Sequence, residues 1–245
     1  MRALAALLTL AACGGGAPHV QSIAMDYGLG CSPDPAPGVE PLVMARANRT
    51  VGLRFSLRSG GDTLALDPGT ELSLYLVEAG ESVDTDGPAS GSGIVNAAGD
   101  VRVDWGPTST LNVAGGTERK GLSLLVDGFA PTGLIDVDIQ RPHADRRDIV
   151  CAYAATPAGL RLDEVRNGES VLLRARGHEL GVGARIAFEI DGRTLGDSEL
   201  DPDGWAELST TLDLSGVGQA PLLAVATLPS ESGFVRERPL PVTVR

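Results

Sequence analysis

Few residues in this chain have the type and spacing that chemistry requires. Three cysteines, three histidines and 32 carboxylates are spread over 245 residues. His178-Glu179 opens a His-Glu-x-x-His zinc pattern, but position 182 is Val182 and the segment has turn composition, so the pattern fails. His143 stands two residues before Asp145 in "RPHADRRD", a stretch with the polarity of a surface loop. Glu199, Asp201 and Asp203 precede Gly204 at alternate positions, and Ser82, Asp84 and Asp86 precede Gly87 in the same way. Alternate oxygen ligands can converge on a hard cation where glycine permits a sharp turn. Neither stretch has a glutamate at the twelfth place, where Thr210 and Gly93 stand, and Asp-Gly is an ordinary turn pair. Asp201, Asp203, Asp84 and Asp86 are therefore weak calcium candidates, and plain turns are the favoured reading. There is no G-x-S-x-G nucleophile elbow and no phosphate loop, and "GSGIVNAAG" (91–99) lacks the strand-to-helix switch a dinucleotide needs. No catalytic residue, resident metal or cofactor is assigned, and the expectation is a protein that is not an enzyme. A hydrolase using carboxylates brought together from distant strands is the alternative.

The cysteines are more informative. Met1-Arg2 is followed by ten uncharged, mostly apolar residues, then Cys13 and three glycines. A basic start, an apolar middle and small residues before a cleavage point are the three parts of an export signal. Leu10-Ala11-Ala12-Cys13 also resembles the lipobox of bacterial lipoproteins. That resemblance implies diacylglycerol transfer to the Cys13 sulfur, cleavage before Cys13 and acylation of the new amino group, as by palmitate. Two or three acyl chains anchor a protein stably where one chain does not. Residues 1–12 are then a signal peptide, and 13–19 a lipidated cysteine with a short tether that includes His19. With Cys13 committed to lipid, Cys31 and Cys151 remain, and an even remainder in an oxidising compartment suggests a disulfide. The alternative is two separately buried thiols.

These residues must be held by a framework, and its class is legible. Thirty-two glycines and 16 prolines punctuate the chain, and only 4% of residues are aromatic. Short strands with aliphatic cores follow from that composition. From Arg161 onward about seven short strand candidates alternate with turns, among them "RIAFEI" followed directly by Asp191-Gly192, a hairpin signal. "NGESVLLRARG", "GARIAFEIDGRTLG", "LDPDGWAELSTTL" and "APLLAVAT" resemble the bacterial immunoglobulin-like modules of exported proteins. Residues 20–155 read as a looser member of the same class. "NRTVGLRFSL" (48–57) parallels "GESVLLRARG", and "GTELSLYLV" (69–77) parallels "GARIAFEI". "NAAGDVRV" (96–103) likewise parallels "DPDGWAEL", and "LSLLVDG" (122–128) parallels "LLAVATL". The expected fold is all-β: two tandem immunoglobulin-like antiparallel β-sandwich domains, 20–155 and 156–245, after the lipoprotein signal peptide. Residues 79–98 read as an exposed loop, and Trp105 and Trp205 as core or strand-end residues.

Composition narrows the partners. A net charge of −12 without a basic cluster opposes nucleic-acid binding. Beyond the start, no apolar run approaches the roughly 20 residues of a membrane helix. The expected partners are a membrane, through the lipid anchor, and another envelope protein or a surface glycan. The expected location is the cell envelope, at the outer membrane if the cell is Gram-negative. An accessory lipoprotein of a secretion or motility machine is a further alternative.

Overall fold

A computed structural model of the protein describes residues 17–78, 81–181, 183–218 and 220–245. The signal peptide, Cys13 and the first residues of the tether lie outside the described residues. Nineteen strands and no helix occur among those described.

The N-terminal half contains ten strands. They are β1 (His19–Tyr27), β2 (Gly30–Cys31), β3 (Leu42–Arg46), β4 (Val51–Ser59), β5 (Asp62–Thr63), β6 (Glu71–Glu78), β7 (Gly91–Ile94), β8 (Val101–Trp105), β9 (Thr117–Val126) and β10 (Ile135–Gln140). All ten belong to one sheet, in the order β1-β4-β8-β7-β6-β9-β10-β3-β2 with β5 paired to β4. Period-two alternation drives this arrangement. In β8, Val101, Val103 and Trp105 are buried while Arg102 and Asp104 face water. The two ends of the sheet, β1 and β2, are joined through Gly28-Leu29 alone, so the sheet must curl round. Its inward residues, from Ile23 and Val43 through Leu53, Leu74, Val103, Leu124 and Ile139, form a single core. Its end strands, β1 and β2, are not paired with each other, so the curled sheet keeps two edges.

The expected exposed loop at 79–98 is corrected in part, because Gly91–Ile94 forms β7 and stitches β6 to β8. The physical reason is its glycines: a Cβ at Gly93 would overlap the Arg102 carbonyl oxygen. Only a bare backbone fits between the two neighbours.

The C-terminal half contains β11 (Asp148–Ala155), β12 (Glu164–Val165), β13 (Ser170–His178), β14 (Arg185–Ile190), β15 (Arg193–Glu199), β16 (Trp205–Thr211), β17 (Leu222–Thr227), β18 (Val235–Pro239) and β19 (Thr243–Val244). A three-stranded sheet, β11-β13-β16, faces a four-stranded one, β15-β14-β17-β18, and β12 pairs β19 in parallel. The chain crosses between sheets at β13–β14, β15–β16 and β16–β17, the Greek-key pattern of an immunoglobulin-like sandwich. Asp191 and Gly192 turn the β14–β15 hairpin with φ of 50° and 72°, the paired positive values of a type I′ turn. Val171, Leu173, Ile186, Phe188, Ala224 and Ala226 fill the space between the sheets.

The division between halves falls earlier than the expected 155/156. β11 pairs with β13 and with no strand of the first sheet, and Ile149, Ala152 and Ala154 enter the second core. The chain therefore passes between sheets within 141–147, the stretch that follows β10. His19, assigned to the tether, already pairs with Arg58 in the first sheet.

Candidate binding surface at the junction of the two cores

The sequence dictates an unusual pair of strands. In β3 all five residues are buried, and in β11 all eight. A strand buried on both sides needs a partner on both sides. Val43 and Ala45 enter the first core, whereas Leu42 and Met44 point out of it. Across from them, Cys151, Tyr153 and Ala155 point out of the second core, and the five form a third cluster, with Cys31, Leu172 and Trp205 against it. The halves are thus packed side against side. Cys31 and Cys151 form a disulfide, with Cα atoms 5.9 Å apart and 120 residues between them in sequence. Because Cys31 ends β2 and Cys151 lies in β11, the bond ties one half to the other. Placing both cysteines in one unit is corrected accordingly.

Charged groups complete the junction. Arg46, 2% exposed, contacts the fully buried Asp148 at 2.7 Å. His143 Nδ1 bonds the same carboxylate, and the His143 amide donates to it at 3.3 Å. Burial lowers the Arg46 guanidinium from its ordinary range, and the charge of Asp148 opposes that shift. Arg161 reaches across from the other side: its backbone exchanges hydrogen bonds of 2.7 and 2.9 Å with Asp34 and Ala36, and its Nη2 donates to the Glu40 carbonyl. Arg238 is 1% exposed and donates to the Ile149 carbonyl at 3.3 Å. Burial pushes its guanidinium down to about 10, against the charges of Asp138 and Asp148. Asp138 is itself held by the Arg119 fork at 2.8 and 3.0 Å. Both buried carboxylates are thus ion-pair acceptors within the packing.

Two polar depressions open beside Arg161. One, of ≈520 Å³, is lined by Glu40, Asp136, Asp163 and Arg119 among others, and the other, of ≈620 Å³, by His19, Asp34 and Arg58 among others. Their walls mix both signs of charge and hold no Phe, Tyr or Trp.

The other expected site residues are dispersed. Asp201 Oδ1 accepts from the Asp203 and Trp205 amides at 2.9 and 2.8 Å, and Asp84 Oδ1 accepts from the Asp86 amide at 3.0 Å. These carboxylates close their own turns, as short polar side chains do. Among the described residues no three His, Cys, Asp or Glu side chains are grouped to hold a metal ion. Trp105 is buried in the first core. Trp205, by contrast, lies half-buried outside the second core, edge-on to Tyr153 at 6.2 Å with the Arg174 guanidinium 4.7 Å from its ring. Sequence reasoning did not single out Arg46, Asp148, Arg161 or Arg238. The available signal was a charge set inside or at the end of an apolar strand, as in "PLVMAR".

No family model matches the chain, and no curated protein matches it. Among solved structures it is similar to the BSP domain of a biofilm associated protein, at 11% identity over 88% of this chain and 29% of that one, with a TM-score of 0.30. A bacterial ice-binding adhesin is similar at 12% identity over 94% and 65%, with a TM-score of 0.29. The D00-D0 domain of Intimin is similar at 9% identity over 89% and 98%, with a TM-score of 0.27. The chain spans less than two thirds of the length of the first two. The strand order, rather than these similarities, defines the fold.

Proposed function

We propose that this chain is a lipid-anchored, non-catalytic protein of the bacterial cell envelope, whose two immunoglobulin-like halves act as one rigid unit for binding or assembling envelope or surface components. The observation that carries this reading is the Cys31–Cys151 disulfide across the junction. Such a bond persists in an oxidising compartment and is rare in the cytosol. It supports the export signal read at residues 1–12, and the lipobox-like Leu10-Ala11-Ala12-Cys13 supplies the anchor. Membrane attachment belongs to this reading, as does the outer membrane as its location if the cell is Gram-negative. A junction sealed by a covalent bond, an apolar cluster and buried ion pairs suits a spacer or binding module that must keep its shape.

Metabolic labelling with an alkyne fatty acid tests the anchor. The wild-type chain should take up label and sediment with membranes, and Cys13→Ser should do neither. Label on the Cys13→Ser chain, or none on the wild type, overturns the reading. Crosslinking in the native envelope, with that variant as control, should then recover a reproducible partner.

A further inference from the structure

The parallel pairing of β12 with β19 brings the two ends of the second half together, and Arg161 stands just before it. Backbone bonds to Asp34 and Ala36 hold Arg161 against the first half. The cavity of ≈520 Å³ lies here, between the halves. Glu40, Arg119 and Asp136 contribute to its wall from the first half. Asp163 and residues 240–243 form the wall from the second, tied together where the Thr243 amide donates to the Asp163 carbonyl at 2.8 Å. Sites for small ligands recur at such domain interfaces, in cavities of about 300–1,000 Å³.

The charges around the cavity are incompletely paired. Among the described residues Arg161 makes no ion pair, although it is only 5% exposed. Its Nη2 is taken by the Glu40 carbonyl and its Nε is enclosed, whereas Nη1 is neither bonded nor enclosed. Nη1 is therefore the donor open to the cavity that Arg161 lines. Arg119 is committed to Asp138 at 2.8 and 3.0 Å and reaches Asp136 only at 3.8 Å. Glu40 and Asp163 are exposed, and among the described residues their carboxylates make no ion pair or hydrogen bond. Burial lowers the Arg161 guanidinium from its ordinary range, and the charges of Asp163 and Asp136 oppose that shift.

A simple ion fits this cavity badly. An anion drawn to Arg161 meets the carboxylates of Glu40, Asp136 and Asp163, and a cation drawn to those meets a buried guanidinium. A group carrying both charges side by side satisfies both. We propose that the cavity binds the α-ammonium and α-carboxylate of an amino acid, Arg161 receiving the carboxylate and Asp136 and Asp163 the ammonium. Charge-assisted hydrogen bonds of this kind are the strong ones. The apolar stretch 240–242 borders the space left for the side chain. A free amino acid and an amino-acid head on a longer chain share this chemistry. The inference deepens the binding role proposed above and rests on that reading for the source of the ligand.

The test uses the full chain with Cys13→Ser, which accepts no lipid, so failure of the anchor and failure of the site are separable. L-Alanine and Nε-acetyl-lysine carry both charges, whereas N-acetylalanine and alaninamide carry one each. All four are titrated at constant ionic strength, and binding is read by saturation-transfer NMR. Saturable binding of alanine, of Nε-acetyl-lysine or of both supports the site, and which of them saturates assigns the source. The singly charged analogues should bind about tenfold or more weakly. Asp136→Asn combined with Asp163→Asn should weaken the doubly charged probes by about tenfold and bind N-acetylalanine at least as well as the parent chain does. Both aspartates are exposed, and the 3.8 Å contact with Arg119 is the one ion pair the variant loses. No saturation by either doubly charged probe, equal binding of the singly charged analogues, or unchanged binding by the double variant overturns the proposal.

Discussion

The two halves share a strand order but close their cores differently. β4, β6, β8 and β9 of the first occupy the places of β13, β14, β16 and β17 of the second. Parallel pairing recurs as well: β3 lies beside β10, and β12 beside β19, the strand that follows β18. In the second half the two sheets stay separate. In the first, β7 joins them into one curled sheet. The difference lies in one short segment with glycines at 91 and 93, where bare backbone lets β6 and β8 be bridged. The same architecture is thus one continuous curled sheet in one half and two separate facing sheets in the other. The outer faces of β3 and β11 then fuse the two.

Opening the disulfide is the change expected to bear most on that comparison. With 120 residues enclosed, chain entropy puts its contribution at about 4–5 kcal/mol. Cys31→Ala with Cys151→Ala should lower the denaturant midpoint by a corresponding amount. It should also split unfolding into two transitions if the halves are cooperative units of their own, and a single unshifted transition would contradict the role given to the bond. Breaking the buried ion pair comes next. Asp148→Asn leaves Arg46 charged and buried, which costs about 3–5 kcal/mol. Urea unfolding measures the loss, and joint replacement of Arg46 and Asp148 by apolar residues should recover much of it. Gly93→Val addresses the closure itself and should destabilise the first half by about 1–3 kcal/mol, because a side chain there meets the Arg102 carbonyl. Hydrogen exchange should locate the loosening in β6–β8 and leave β13–β17 protected.

Acid should separate the halves more gently. Desolvation alone would raise the Glu118 carboxyl, but hydrogen bonds from Lys120, Thr110 and Ser109 outweigh it and hold the group at about 2. A carboxylate with a depressed folded pKa contributes stability above its unfolded value, near 4.3, and loses it as pH falls through the folded value. The first half should therefore weaken between about pH 4.5 and pH 2, and Glu118→Gln should flatten that part of the unfolding profile. The smallest effect is expected at the aspartate turns. Asp201→Ala removes two amide hydrogen bonds and should cost about 1 kcal/mol. Adding calcium or a chelator should leave the melting temperature of the wild-type chain unchanged, and a calcium-dependent rise would restore the cation reading.

Much of this comparison was legible in the strands and little of it at the junction. The four segment pairs noted in sequence fall on topologically matching strands, because alternation and turn residues are local and survive in any sandwich. β7 was hidden because "GSGI" has turn composition, and only its neighbours make it a strand. β11 was placed in the wrong half because "DIVCAYAA" is apolar on both faces and gives no sign of which sheet it joins.

The sequence by itself determined the all-β class, the turn chemistry and the availability of Cys31 and Cys151 for each other. Those properties depend on composition and on neighbours within a few residues. Tertiary structure alone decided that the disulfide joins the halves rather than closing one and that Arg46 meets Asp148. Each requires strands more than 90 residues apart to share a face, and pairing at that separation is set by which surfaces bury each other, a quantity no local pattern contains.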